Sequence, residues 1–295
     1  MDALEQGNLE TLRKYPKADL HNHFALGGSR RFLYQATGKK IEPLVHPLAS
    51  MAEMDQWSQK YIGQYFNSTE GRKLLIRATF QQAKEDGVTV LEIGEDVWGL
   101  KEFFHNDIDE LVESFTSAQR EIAPEIELRL QIGLSRHCPI SYLEDCLSYF
   151  WGNKNFYSID LYGDEFAQPI ENFKGIYRRA KKEGLRLKAH VGEWGTAKDV
   201  RTAVEELELD EVQHGIAAAG DESVIRFLAE HKIRLNITPT SNILLGRVAD
   251  MSMHPIGKLY HSGVDVTINS DDVLIFDSDV SKEYLRLYES QCLTA

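Results

Sequence analysis

The chain is 295 residues long, enough for one large domain or two of ordinary size, and 42% hydrophobic residues supply a substantial core. With 33 Lys and Arg against 46 Asp and Glu, its formal charge of −13 argues against broad binding to a polyanion such as nucleic acid. The three cysteines, Cys138, Cys146 and Cys292, form no CxxC pair, as suits a reducing compartment, and no run of about 18 apolar residues predicts a membrane span.

The opening stretch MDALEQGNLETLRKYP is polar and lacks the apolar segment of a secretory signal, so a soluble cytoplasmic protein is expected. Strand signals then recur at 17–24, 89–96, 127–135, 157–165, 185–193, 211–217, 233–240 and 264–272. Several are continuous apolar runs, the pattern of parallel strands buried on both faces. The long gap from 25 to 88 must hold more than one crossover helix. Within it, Trp57, Tyr61, Tyr65 and Phe66 fit an amphipathic helix packed on the strands slightly better than an apolar lid. Further on, IENFKGIYRRAKKEG stops at Gly184, and Thr196 and Asp221 are N-caps for the next two helices. Eight strands alternating with helices predict a (β/α)8 TIM barrel, read as one domain over 1–295, with an open doubly wound sheet as the alternative. No GxGxxG or GxxxxGK[ST] loop points to a nucleotide-phosphate site.

In such a barrel, chemistry collects at the C-terminal ends of the strands. Polar residues fall there repeatedly: His21 and His23, then Gly163, Asp164 and Glu165, then His190 and Glu193, His214, TPTSN, and Asp271 with Asp272. Histidines at i and i+2 share one face of a strand, so His21 and His23 can grip one ion or simply hydrogen-bond inside the barrel mouth. Joined by His190 and Asp271 they make a three-nitrogen, one-oxygen set with room for a water, the donor set of a catalytic Zn²⁺ site, with Fe²⁺ or Mn²⁺ chemically close. Glu95, Asp96 and Trp98 read as a solvated loop and His137 as structural. His46, His105, His231, His254 and His261 read as surface residues, and Trp194 as a bulky group that shapes the pocket.

The series KADLHNHF, DLYGDE, KAHVGEWG, VQHGIAA, ITPTSNILLG and TINSDDVLIF, in order from Lys17 to Phe276, resembles the successive strand-end motifs of the adenosine deaminase family within the amidohydrolase superfamily. HxH alone is weak; HxH followed by HxGE, HG and SDD is specific. The resemblance implies a zinc-dependent hydrolytic deaminase of adenosine or a related aminated purine. It implies that His21, His23, His190 and Asp271 bind one Zn²⁺ and that Glu193 protonates the purine ring nitrogen. His214 would orient and help deprotonate the attacking water or stabilise the hydroxide, Asp272 would face water and ring, and the Gly163 backbone would contact the base. Its partner is then a purine-like small molecule, with no nucleic acid or membrane, and nothing in the sequence speaks to oligomeric state. The zinc cytidine-type deaminases need a CxxC that is absent here, and the multi-metal HxH phosphoesterases fit the HVGE and SDD pattern poorly.

Two departures stand out. Family members acting on adenosine carry an acid shortly after HxH that recognises the far end of the substrate; here that position is Ala25, which accepts no side-chain hydrogen bond. The chain also stops 23 residues beyond Asp272, where the family usually continues, so a bare apolar flank is expected. A deaminase of a non-purine heterocycle, or a non-catalytic binding or regulatory protein on the same scaffold, are the competing readings.

Overall fold

The computed structural model describes residues 2–48, 50–63 and 66–294, so Tyr65 lies outside the described residues. All eight expected strands form: β1 (Lys17–Asp19), β2 (Val88–Ile93), β3 (Glu127–Ser135), β4 (Phe156–Tyr162), β5 (Arg186–Val191), β6 (Glu211–His214), β7 (Arg234–Ile237) and β8 (Asp265–Ile268). They pair in parallel and in chain order in a single sheet. The seam between β8 and β1 is drawn together beyond the strand ends, where Asn22 bridges Asp271 and the Asp271 N–H donates to the His21 carbonyl at 2.9 Å. The result is a nearly closed (β/α)8 barrel.

Most of the strands end earlier than their apolar runs suggest. His214 and Asp271 take the left-handed backbone conformation at φ +62 and +58, which bends the chain off the ladder and turns their side chains into the barrel mouth. Gly192 does the same at φ +73, where a Cβ would lie 2.3 Å from Val200 Cγ2, so only glycine fits.

The helix signals hold. Gly184 ends Lys174–Glu183 in the left-handed conformation, Thr196 and Asp199 make a reciprocal cap on Ala197–Leu207, and Asp221 accepts from the Ser223 N–H ahead of Glu222–His231. The gap after β1 holds Arg30–Thr37, Met51–Ser58 and Thr69–Asp86. Trp57, on Met51–Ser58, is buried in the core as a packed helix requires, and Phe66, in the bend beyond that helix, is buried too, while Ala52, Met54 and Ser58 border the mouth. The expected bare flank is covered: Val280–Glu289 packs on the helix Leu9–Leu12 and on β8, with Leu287 buried and Arg13 Nη2 2.7 Å from Asp279.

Beneath the mouth the barrel interior is charged rather than purely apolar. Lys188, fully buried, donates to Glu92 at 2.8 Å and to the Leu20 carbonyl at 2.9 Å, and lies 3.4 Å from Glu211. Asn236 links Glu211 and Gln213 through donations of 2.9 and 2.8 Å. This layer supports the metal-ligand candidates from below.

Candidate active site

The four ligand candidates converge. His21 Nε2 is 3.0 Å from His190 Nε2, which is 3.2 Å from His23 Nε2. Asp271 Oδ1 lies 3.5 Å from His21 Nε2 and 3.4 Å from His23 Nε2. Metal–nitrogen bonds of about 2.0–2.1 Å give a tetrahedral site edges of about 3.3–3.4 Å, close to these four separations, and the three histidines offer nitrogens within 4.8 Å of one another, near enough to share one ion.

The outer hydrogen bonds make the same point. His21 Nδ1 bonds to the Asn236 carbonyl at 2.9 Å, which must accept, so Nδ1 carries the proton and the Nε2 lone pair faces inward. His190 Nδ1 meets Asp160 Oδ1 at 3.3 Å, with the same consequence. Two inward lone pairs at this distance repel unless a cation joins them. Burial disfavours charge on all these rings and holds His21 down to about 3; at His190 the Asp160 carboxylate overcomes burial and raises the pKa. Burial would raise Asp160, yet the facing His190 holds it at about 2, so it stays ionised.

Asp160 was not anticipated, although its place in SIDLYGDE, two residues before Tyr162, puts it on the barrel's inner face opposite Lys188. If His190 is a ligand, Asp160→Asn is expected to weaken binding of a dication at this cluster about 10- to 100-fold, as loss of an outer partner of a ligating His commonly does; competition with a chelating indicator measures it, and unchanged affinity would refute the role.

Glu193 stands beside this cluster with its side chain 11% exposed and Oε1 3.5 Å from His214 Nε2. Burial first, and then the Asp271 charge, push its carboxyl up to about 8. Its backbone is held by Glu165, another residue whose role was not foreseen, which accepts the N–H groups of Gly192, Glu193 and Trp194 at 2.8, 2.9 and 2.7 Å. Asp272 is buried, its Oδ1 has no hydrogen-bond partner, and burial and Asp271 raise its pKa well above the carboxylate range.

These groups open into a cavity of about 520 Å³. Gly163 forms part of its wall at φ +96, beside the His137 ring. Four expectations need correction. Glu95 and Asp96 are not a solvated loop: both line the cavity, because Glu95 is drawn inward by Arg72, whose Nε donates to it at 2.7 Å. His137, read as structural, is exposed at the cavity mouth, since β3 ends at Ser135 and releases the chain across the rim. Trp194 stacks on the Arg247 guanidinium at 4.1 Å and is not part of the cavity wall. His254 is buried, 4% exposed, where it bonds to Asn242. The other four histidines read as surface residues are exposed.

The profile of the adenosine deaminase family matches residues 16–295. A Treponema pallidum protein named as a candidate adenosine/adenine deaminase is 33% identical over 287 residues, covering 97% of this chain and 96% of its own. An adenine deaminase of Rhodopseudomonas palustris is 28% identical, covering 95% of this chain and 84% of its own. Among solved structures, an adenine deaminase from Arthrobacter aurescens superposes with a TM-score of 0.76 at 21% identity, over 94% of this chain and 88% of that one. A Burkholderia ambifaria amidohydrolase with bound zinc gives 0.79 at 20% identity, over 96% and 82%. The profile match and the one-third identity along almost the whole chain establish that this protein belongs to the adenosine deaminase family and is a hydrolytic deaminase.

Proposed function

We propose that the enzyme releases ammonia from a neutral aminated purine, a nucleoside or free base rather than a nucleotide, using a dication such as Zn²⁺ held by His21, His23, His190 and Asp271. The observation that carries the substrate class is the charge of the cavity wall. Among the described residues lining it, Arg72 is the one permanent cation, and it is spent: both its Nε and Nη2 donate to Glu95, and its guanidinium is sandwiched between Phe24 and Phe103 at 4.6 and 4.9 Å. A phosphate would leave water for a wall with nothing free to neutralise it.

The wall instead offers uncharged polar atoms. Asp96 Oδ1 and Gln131 Oε1 are enclosed without partners. Gln131 gives its Nε2 to Asp160 at 3.3 Å, which leaves its oxygen as the free acceptor. Burial first and the neighbouring Glu95 second raise the Asp96 carboxyl well above its usual range. These groups from β3 and the turn after β2 suit hydroxyl or N–H donors of a substrate, a duty that Ala25 in the same wall cannot perform.

A bound dication supplies the charge that lets water lose a proton near neutral pH. The chain's own groups do the rest. Glu193, protonated, gives its proton to the ring nitrogen as the water oxygen bonds to the amino-bearing carbon, so no negative charge builds on the ring. A dication beside Asp271 would favour the ionised form of Asp272, which takes the proton released by the water and passes it to the amino group. The carbon–nitrogen bond then breaks and ammonia departs, while the hydroxyl left on that carbon returns its proton to Glu193 and becomes a carbonyl beside the protonated ring nitrogen.

Ammonia release by zinc-loaded protein tests the reading with adenosine, 2′-deoxyadenosine, adenine and AMP. At least one of the first three should turn over, with kcat/KM for AMP about 100-fold lower or worse, since an unpaired buried charge costs more than the roughly 1–3 kcal/mol of a neutral polar group. Asp96→Ala is expected to raise KM for the preferred substrate by about 10-fold or more and leave kcat within a small factor. AMP as the best substrate would overturn the proposal.

A further inference from the structure

We propose that His254, acting through Asn242, fixes the ring tautomer of His214 so that His214 presents a protonated Nε2 to the reacting centre. His254 touches neither the cavity nor the ligand cluster; it is a positioning residue.

The donors and acceptors from Ile256 to His214 admit one arrangement of protons. The Ile256 backbone N–H, which can only donate, reaches His254 Nδ1 at 3.1 Å, so Nδ1 is an acceptor without a proton. Burial holds the His254 pKa down to about 4, so the ring is neutral and its single proton sits on Nε2. That Nε2–H faces Asn242 at 3.1 Å and donates to Oδ1. The Asn242 amide is thereby oriented, and its other end, Nδ2, faces His214 Nδ1 at 3.2 Å and donates to it. A neutral imidazole that accepts at Nδ1 carries its proton at Nε2.

The adjacent hydroxyl does not decide the matter. Thr238 Oγ1 is 3.0 Å from His214 Nδ1 and 3.2 Å from Asp271 Oδ2, and its one proton can go to either. Among the described contacts, Asn242 is the partner with a fixed direction, and His254 fixes it. Asn242 and His254 are both buried, so no bulk water competes for these bonds.

The consequence is chemical. His214 Nε2 lies 3.5 Å from Glu193 Oε1 and 4.0 Å from Asp271 Oδ2. With its proton there, His214 enters the reaction as a hydrogen-bond donor that orients the attacking water and stabilises charge growing on its oxygen. It is not the first acceptor of the water proton, which falls to Asp272.

The test is ¹⁵N NMR of zinc-loaded protein labelled at histidine, with His214 assigned by loss of its signals in His214→Gln. In the wild type, Nδ1 is expected in the range of an unprotonated ring nitrogen and Nε2 in that of a protonated one; the reverse overturns the proposal without any variant of His254. In His254→Phe, Asn242 is free to turn, so a mixed or reversed tautomer is expected, with kcat falling about 10- to 100-fold and KM within about threefold. His254→Gln can still donate to Asn242 Oδ1 and is expected to recover the tautomer and most of kcat. Should the phenylalanine variant fail to fold, Asn242→Asp replaces the donor with an acceptor and is expected to move the proton to Nδ1. A wild-type tautomer in the folded phenylalanine or aspartate variant would overturn the proposal. The tautomer readout is independent of which purine is the substrate, so its failure and that of the substrate reading are separable.

Discussion

Glu193→Gln is expected to lower kcat by about 10²–10⁴-fold, the usual worth of a positioned proton donor, with zinc content and thermal unfolding unchanged. Glutamine keeps the shape of the side chain and removes only the transferable proton. The carboxyl is suited to the task because burial first, and the Asp271 charge second, raise it to about 8, so that most molecules hold the proton at neutral pH. The sign follows from the chemistry. A group that must be protonated to act is competent below its pKa, so kcat/KM should fall as pH rises through the Glu193 pKa. A dication at the neighbouring ligands favours the ionised carboxylate and moves that descending limb to lower pH in the loaded enzyme than in the metal-free protein. A pH profile of the wild type and a single-point assay of the variant check both statements. Wild-type turnover by the glutamine variant, or a rate still climbing across the alkaline range, would remove Glu193 from the reaction.

Lys188→Met should be the most damaging change outside the cavity, costing about 3–5 kcal/mol of stability, the range for breaking a buried ion pair from one side. Burial opposes the charge on Lys188, but Glu92 and Glu211 outweigh it and raise its pKa, so the ammonium is fully formed inside the barrel. Methionine fills a similar volume and leaves Glu92 facing Ser158 alone, while Glu211 keeps Asn236 and Arg186. The variant also loses the donation to the Leu20 carbonyl, one residue before the proposed ligand His21, so metal affinity should fall with stability. Urea unfolding of the metal-free protein measures the first effect and metal competition the second. A midpoint shift worth less than about 1 kcal/mol would mean that the barrel interior tolerates two buried carboxylates without their cation.

The eight strands and the clustering of His21, His23, His190 and Asp271 were readable from the chain alone because both depend on local pattern. Apolar runs of strand length bounded by helix caps are encoded within about ten residues of themselves, and a barrel places every strand end on one rim. Once HxH, HxGE, HG and SDD each ended a strand, their convergence followed from topology, and the structure sets both His190 and Asp271 within 3.5 Å of His21 and of His23. Tertiary structure alone decided the groups that surround this core. Arg72 draws Glu95 inward across 23 residues of sequence, Glu165 clasps the Glu193 turn across 28, and His254 reaches Asn242 across 12. Each of these residues, taken by itself, has the polarity of a solvent-exposed loop, which is why the sequence pattern alone places Glu95 and His254 at the surface. A polar side chain is buried only when a partner arrives from elsewhere in the chain to meet it, and that meeting is not written in the periodicity around either one.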